Sequence, residues 1–165
     1  MGELHMNTGH DISFESIAGI TPVTSTFTDV MSRLGTDYKV ERVPTRRNKK
    51  GLTTAKVVLH FQKFGLAVVF ISSDFTLLPE TPVLIVGAEA GCNLRTGDNL
   101  RIGMSLTEAR EIVEKNYTVQ YESPDCIEML PITGESQTYL VLHHNSDQIE
   151  FIGLHRIQTE KSGRQ

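Results

Sequence analysis

The sequence predicts an α+β fold: two tandem helix-plus-antiparallel-sheet modules, with both helices packed on one face of a curved sheet. Three observations predict it. A capped amphipathic stretch, Leu100–Val119, runs straight into strand-like alternation. An earlier stretch, Thr21–Val40, repeats its order of cap, apolar stripe, stop and strand. After each come short alternating segments split by turn residues, the pattern of antiparallel hairpins rather than of crossover helices.

The first module is expected over residues 12–80. Ile12, Phe14 and Ile17 read as a short strand leading through Gly19-Ile20 and Pro22 to a helix, Thr26–Leu34. Thr26 offers an N-cap hydroxyl and Asp29 stands three residues on, the spacing at which cap and carboxylate each satisfy a free amide. Phe27, Val30, Met31 and Leu34 fall on one helical face, and Gly35 permits the left-handed turn that ends a helix. Tyr38–Val43 alternates as a strand. Pro44–Leu52 is a basic, turn-rich connection. Its Arg46, Arg47, Lys49 and Lys50 serve either to grip an acidic or phosphate-bearing partner or as a solvated hairpin tip. Ala55–Phe61 alternates, Lys63-Phe64-Gly65 makes a tight turn, and Leu66–Ile71 is apolar on both faces, as a central strand is.

Ser72–Pro82, with Pro79 and Pro82 as breakers, separates this from a second module over 81–159, leaving tails 1–11 and 160–165. Val83–Val86 is a strand and Gly87–Asn99 a loop. Ser105 and Glu108 repeat the cap, and Leu106, Ala109, Ile112 and Val113 form the apolar stripe. Asn116 is placed to stop the helix in the left-handed conformation. Tyr117–Glu122 is a strand, Pro124–Gly134 a loop, Thr138–His143 a strand, Asn145-Ser146-Asp147 a turn and Gln148–Ile157 the last strand.

Composition bounds the function classes. The 165 residues are 39% hydrophobic and 22% charged, an ordinary globular balance. A net charge of −4 and a pI near 5.8 argue against a nucleic-acid partner, which selects a basic face. No apolar run reaches membrane-span length. The opening Met1–Asp11 lacks the apolar core of a signal peptide, so the sequence as it reads is cytoplasmic. An exported chain, periplasmic or lipid-anchored, stays open if that opening replaces a removed signal. Cys92 and Cys126 are correspondingly two free thiols or, in an exported chain, a disulfide.

No stretch carries a catalytic signature. His143 and His144 are strand neighbours and point to opposite faces, and no Cys or acidic pattern completes a metal site around His60, His143, His144 or His155. Ser72 lacks a nucleophile elbow, Cys126 lacks an activating context, and the glycines of Gly87–Gly103 lack the lysine of a phosphate loop. No cofactor and no metal are expected. The reading is a non-enzymatic module that binds another protein, as an inhibitor, immunity-type or assembly factor. Its working surface is the sheet face turned from the helices, bearing Lys39, Glu41, Thr118, Gln120 and His60 or His144, with Arg46 and Arg47 next in line. The alternative is a small-ligand carrier or a hydrolase with its site between helices and sheet.

At Ile102-Gly103-Met104-Ser105-Leu106-Thr107-Glu108-Ala109 the chain resembles the helix starts of the β-lactamase inhibitor protein superfamily, which includes small outer-membrane assembly lipoproteins. The first stretch has Val23-Thr24-Ser25 in place of the Gly-Met pair. The resemblance implies two helix-plus-sheet modules that present a concave sheet surface to a protein partner.

Overall fold

Alternation dominates this chain, and the structure is accordingly mostly sheet. The computed structural model describes residues 12–47, 53–73, 76–132, 136–145 and 147–157. Its elements are α1 (Phe27–Leu34), β1 (Lys39–Arg47), β2 (Thr53–Phe61), β3 (Leu66–Ser73), β4 (Val83–Ala88), α2 (Leu106–Asn116), β5 (Tyr117–Ser123), β6 (Cys126–Pro131), β7 (Thr138–His144) and β8 (Ile149–Arg156).

The expected pair of tandem helix-plus-sheet modules does not form. All eight strands make one continuous antiparallel sheet in the order β1-β2-β3-β4-β8-β7-β6-β5, and the helices are minor elements of 8 and 11 residues. The join is β4, which pairs with β3 on one side and with β8 on the other, through Ile85–His155, Val86–Leu154, Gly87–Gly153 and Ala88–Ile152. Two separate sheets would leave both β4 and β8 with an open row of backbone donors and acceptors, and pairing removes both edges.

One face of this sheet is the core. Val57, Leu59 and Phe61 of β2, Leu66, Val68 and Phe70 of β3, Val86 of β4 and Leu154 of β8 are at most 2% exposed. They share one cluster with Leu140 and Leu142 of β7, Ile127 and Met129 of β6, Val30 and Leu34 of α1, and Ala109 and Val113 of α2. Both helices therefore cover the same side, called the inner face here. Phe27 meets Phe70 edge-on at 5.8 Å between ring centroids, and Tyr38 meets Phe61 at 5.4 Å. Among the described residues, the outer face carries no helix.

Local chemistry explains the helix ends. The reciprocal capping box belongs to α1, where Thr26 Oγ1 accepts from Asp29 N and Asp29 Oδ2 accepts from Thr26 N at 2.9 Å. At α2, Ser105 Oγ accepts from Glu108 N at 3.1 Å, and the carboxylate makes no return bond. Gly35 ends α1 at a φ of 87°. Asn116 does not end α2 in a left-handed turn; it is the last helical residue, and Tyr117 caps the helix with extended backbone at φ −135°.

Each lead-in is pinned by the strand that starts beside it. Val23 N donates to Val83 O and Val83 N to Ser25 O, while Gly103 N donates to Ile149 O and Ile149 N to Met104 O. Gly103 takes a φ of +88° at this crossing without cost, whereas Val23 takes +71°, a strained state for a β-branched side chain. The expected first strand is absent. Ile12, Ile17 and Ile20 make isolated bridges and bury their side chains in the core. The loop expected over Pro124–Gly134 contains a full strand, β6, whose Ile127 and Met129 point inward. Strand β1 runs on through Arg47 by way of a bulge between Pro44 and Arg46.

Candidate functional site

Register decides which side chains share the outer face. From β7 and β8, Tyr139 stands opposite His155, Val141 opposite Gly153, and His143 opposite Phe151. Gly153 in turn faces Gly87 of β4. The Phe151 ring lies over both glycines, since a Cβ built on either would overlap it. The Tyr139 and His155 rings stack at 5.2 Å and 14°, and the His143 and Phe151 rings sit 5.5 Å apart. Two ring pairs thus flank the middle of the sheet. Val58 and Ile85 continue the surface toward β2, half-buried, and Ile71 is exposed at its margin. Ala67, Val69 and Val141 are buried on this side yet stand apart from the inner core cluster.

The electrostatics divide the face in two. At the β1–β2 end, His60 Nε2 sits 2.8 Å from Glu41 Oε1 and its Nδ1 2.9 Å from Glu89 Oε2. Burial alone would lower the His60 pKa, but the hydrogen bonds and charges of Glu89 and Glu41 outweigh it and raise it. Toward the middle of the sheet, on β8, burial first, then His143 and Lys56, lowers His155 to about 4. At neutral pH His155 is therefore an uncharged stacked ring, while the two carboxylates beside His60 shift its balance toward the charged form.

The residues expected to form the site are dispersed. Lys39 and Glu41 are exposed on β1 with Lys39 paired to His60, so these three cluster. Thr118 and Gln120 are exposed on β5, at the opposite edge of the sheet. At about 4.8 Å per strand the two groups stand roughly 30 Å apart and do not form one site. His144 is not on the outer face. It follows Leu140 and Leu142 onto the inner face and pairs with Ile149 across a bulge at Glu150 of β8, 4% exposed with Nδ1 donating to Asn145 O at 2.9 Å. Its Nε2 is buried without a partner. Arg46 and Arg47 have their backbones in β1, opposite Thr54 and Thr53, and their side chains lie outside what is described. Lys49 and Lys50 lie outside the described residues altogether.

Sequence reasoning missed the ring pairs. The signal was present as Tyr139, Val141 and His143 alternating with Leu140 and Leu142, but it became visible only once β8 was known to lie alongside. It also missed Glu89, which reaches His60 from beyond β4.

Other chemistry is muted. Cys92 is buried, Cys126 half-buried, and both are free thiols. Burial, then Glu128 and Asp125, pushes the Cys126 thiol up, the reverse of an activated nucleophile. Among the described residues, no three His, Cys, Asp or Glu converge as metal ligands, and no helix is long and apolar enough to cross a membrane. The cleft beside His60, lined by Asp37, Tyr38, Lys39, Gln62 and Lys63, has a volume of about 100 Å³, below the size of small-molecule sites. Set beside known proteins, the chain matches no family model, no curated protein and no solved structure.

Proposed function

We propose that this chain is a non-catalytic protein-binding module, an inhibitor, immunity-type or assembly factor, that works through the outer face of its sheet. The observation that carries the reading is the two ring contacts, Tyr139 stacked on His155 and His143 tilted against Phe151, set among half-buried aliphatics on a face without a helix. Rings held at fixed positions offer large contact area at little cost in side-chain entropy, and interface hot spots are enriched in such groups. Catalysis asks instead for polar groups converging on a reacting atom with pKa values tuned toward the operating pH. On this face the tuned groups diverge: His155 is neutral, and both ring nitrogens of His60 are taken up by Glu41 and Glu89.

Site-specific photo-crosslinking in the native cell tests it. A crosslinker at Val58 or His143 should capture one discrete protein, and one at Glu114 on the exposed side of α2 should not. Purified complex should then weaken about tenfold or more on Phe151→Ala, the change expected for a buried aromatic anchor. Equal capture from both faces, or undiminished binding by that variant, overturns the assignment.

A further inference from the structure

A second site lies on the other side of the sheet. The lead-in to α1 crosses the ends of β6, β7 and β8 and leaves a cleft of about 540 Å³, within the range of small-molecule sites. Phe14 and Pro22 of the lead-in and Pro131 of β6 give it an apolar wall. Arg156, at the end of β8, and Glu15, on the lead-in, give it one charge of each sign.

Neither charge is used by the fold. The Arg156 guanidinium and the Glu15 carboxylate make no hydrogen bond or ion pair with a described residue, although they line the same cleft. Arg156 is half-buried, and its guanidinium nitrogens are not sealed in the fold, so its five donors stay open to the cleft. The Thr21 and Thr24 hydroxyls and the Gln137 amide beside it are also uncommitted.

The wall is built firmly despite a local cost. Thr138 Oγ1 donates to Phe14 O, tying the lead-in to β7, and the Phe14 ring packs on Tyr117 at 5.7 Å. Val23, between the wall residues Pro22 and Thr24, is held at its positive φ by the bond to Val83. Strain retained by surrounding structure often marks a functional segment.

We propose that this cleft binds a small zwitterion, a free α-amino acid or short peptide with an apolar side chain. Its carboxylate meets Arg156, its ammonium meets Glu15, and its side chain lies on Phe14, Pro22 and Pro131. The balanced lining selects this class, because a simple anion leaves Glu15 opposed to it and a simple cation leaves Arg156 so. A carboxylate also suits the planar two-pronged donor geometry of arginine. The site is separate from the outer face, so the two readings stand or fall independently.

Calorimetric titration of the intact chain with leucine, phenylalanine, leucyl-leucine, N-acetyl-leucine, leucinamide and inorganic phosphate tests it. Leucine or phenylalanine should bind, with N-acetyl-leucine and leucinamide weaker by about tenfold or more, the scale of one lost charge-assisted contact. Tighter binding of leucyl-leucine would assign the ligand to peptides within the same class. Arg156→Gln and Glu15→Gln should each weaken binding by a similar factor, with unchanged thermal midpoints showing that both remain folded. Absence of any zwitterion binding at millimolar concentration overturns the proposal. So does equal binding of the blocked analogues or of phosphate, or indifference to both substitutions.

Discussion

Gly87 and Gly153 face each other across the junction of β4 and β8, and together they make room for the ring of Phe151. A side chain at either position must push that ring aside. Because the obstructing atoms belong to the far end of a side chain, the fold should survive. Gly153→Ala should cost about 1–2 kcal/mol, as modest overpacking does. In the Phe151→Ala background the same change should cost almost nothing. Urea unfolding of the four proteins in this cycle checks it, and an equal cost in both backgrounds would show that the ring is not what the glycine accommodates.

Two histidines on the outer face give the protein opposite responses to pH. His155 titrates near 4 when folded against an ordinary 6.5, so the unfolded chain binds more protons between those values. Its neutral ring therefore favours folding fully above about 6.5, and that contribution is lost as the pH falls toward 4. His155→Phe keeps a ring against Tyr139 and removes the titration. The urea midpoint of that variant should fall less between pH 6.5 and 4 than the parent's, and an identical slope would be fatal to this account.

His60 works the other way. Its folded pKa lies above 6.5, so its stabilising effect is complete below that value and fades as the pH rises through the folded pKa. Glu89 is the larger raising influence and is less exposed than Glu41, at 28% against 57% of its side chain. Glu89→Gln should lower the His60 midpoint, followed by NMR of the ring protons, more than Glu41→Gln does. A parent midpoint at or below 6.5 would refute the arrangement.

The two helix caps should differ in strength. Thr26→Ala removes a reciprocated cap and should cost about 1 kcal/mol or slightly more, while Ser105→Ala removes a single bond and should cost less. Thermal unfolding of both variants reports the order directly.

Val23→Gly should stabilise the protein by about 1 kcal/mol. Relief of the left-handed backbone exceeds the added entropy of glycine in the unfolded chain, and the side chain surrendered is already 47% exposed. A lower melting temperature would show that Val23 packing matters more than its backbone.

What could be read from the sequence was local. The apolar stripe Val30/Leu34 and the alternation of Val57, Leu59 and Phe61 identify their elements, because period and face are set by neighbours along the chain. The single sheet was not legible, since β4 and β8 pair across a long stretch of chain and the only local trace is one glycine in each. Strand β6 was hidden by Pro124 and Pro131 at its ends, although Ile127 and Met129 alternate within it. Two details of facing were also hidden. A bulge around Gln120 sends Tyr121 to the outer side opposite Glu128, although alternation from Tyr117 and Val119 would set it inward. His144 follows Leu140 and Leu142 to the inner face, which the strand's own sequence does not distinguish from the outer one. The Lys39, Glu41 and His60 neighbourhood was foreseeable from a single hairpin. Its distance from Thr118 and Gln120 was not, because strand order is a property of the whole chain.

The position of β8 has a consequence for synthesis. Strand β4 is complete by Ala88, yet the partner for its second edge begins at Ile149. On the ribosome, the first four strands must wait with that edge bare while some sixty further residues are made, roughly 3–12 s at ordinary elongation rates. Val83, Val86 and Ala88 are fully buried in the finished protein and stand on that waiting strand. The nascent chain is thus most prone to misassociation late, just before its last strand arrives.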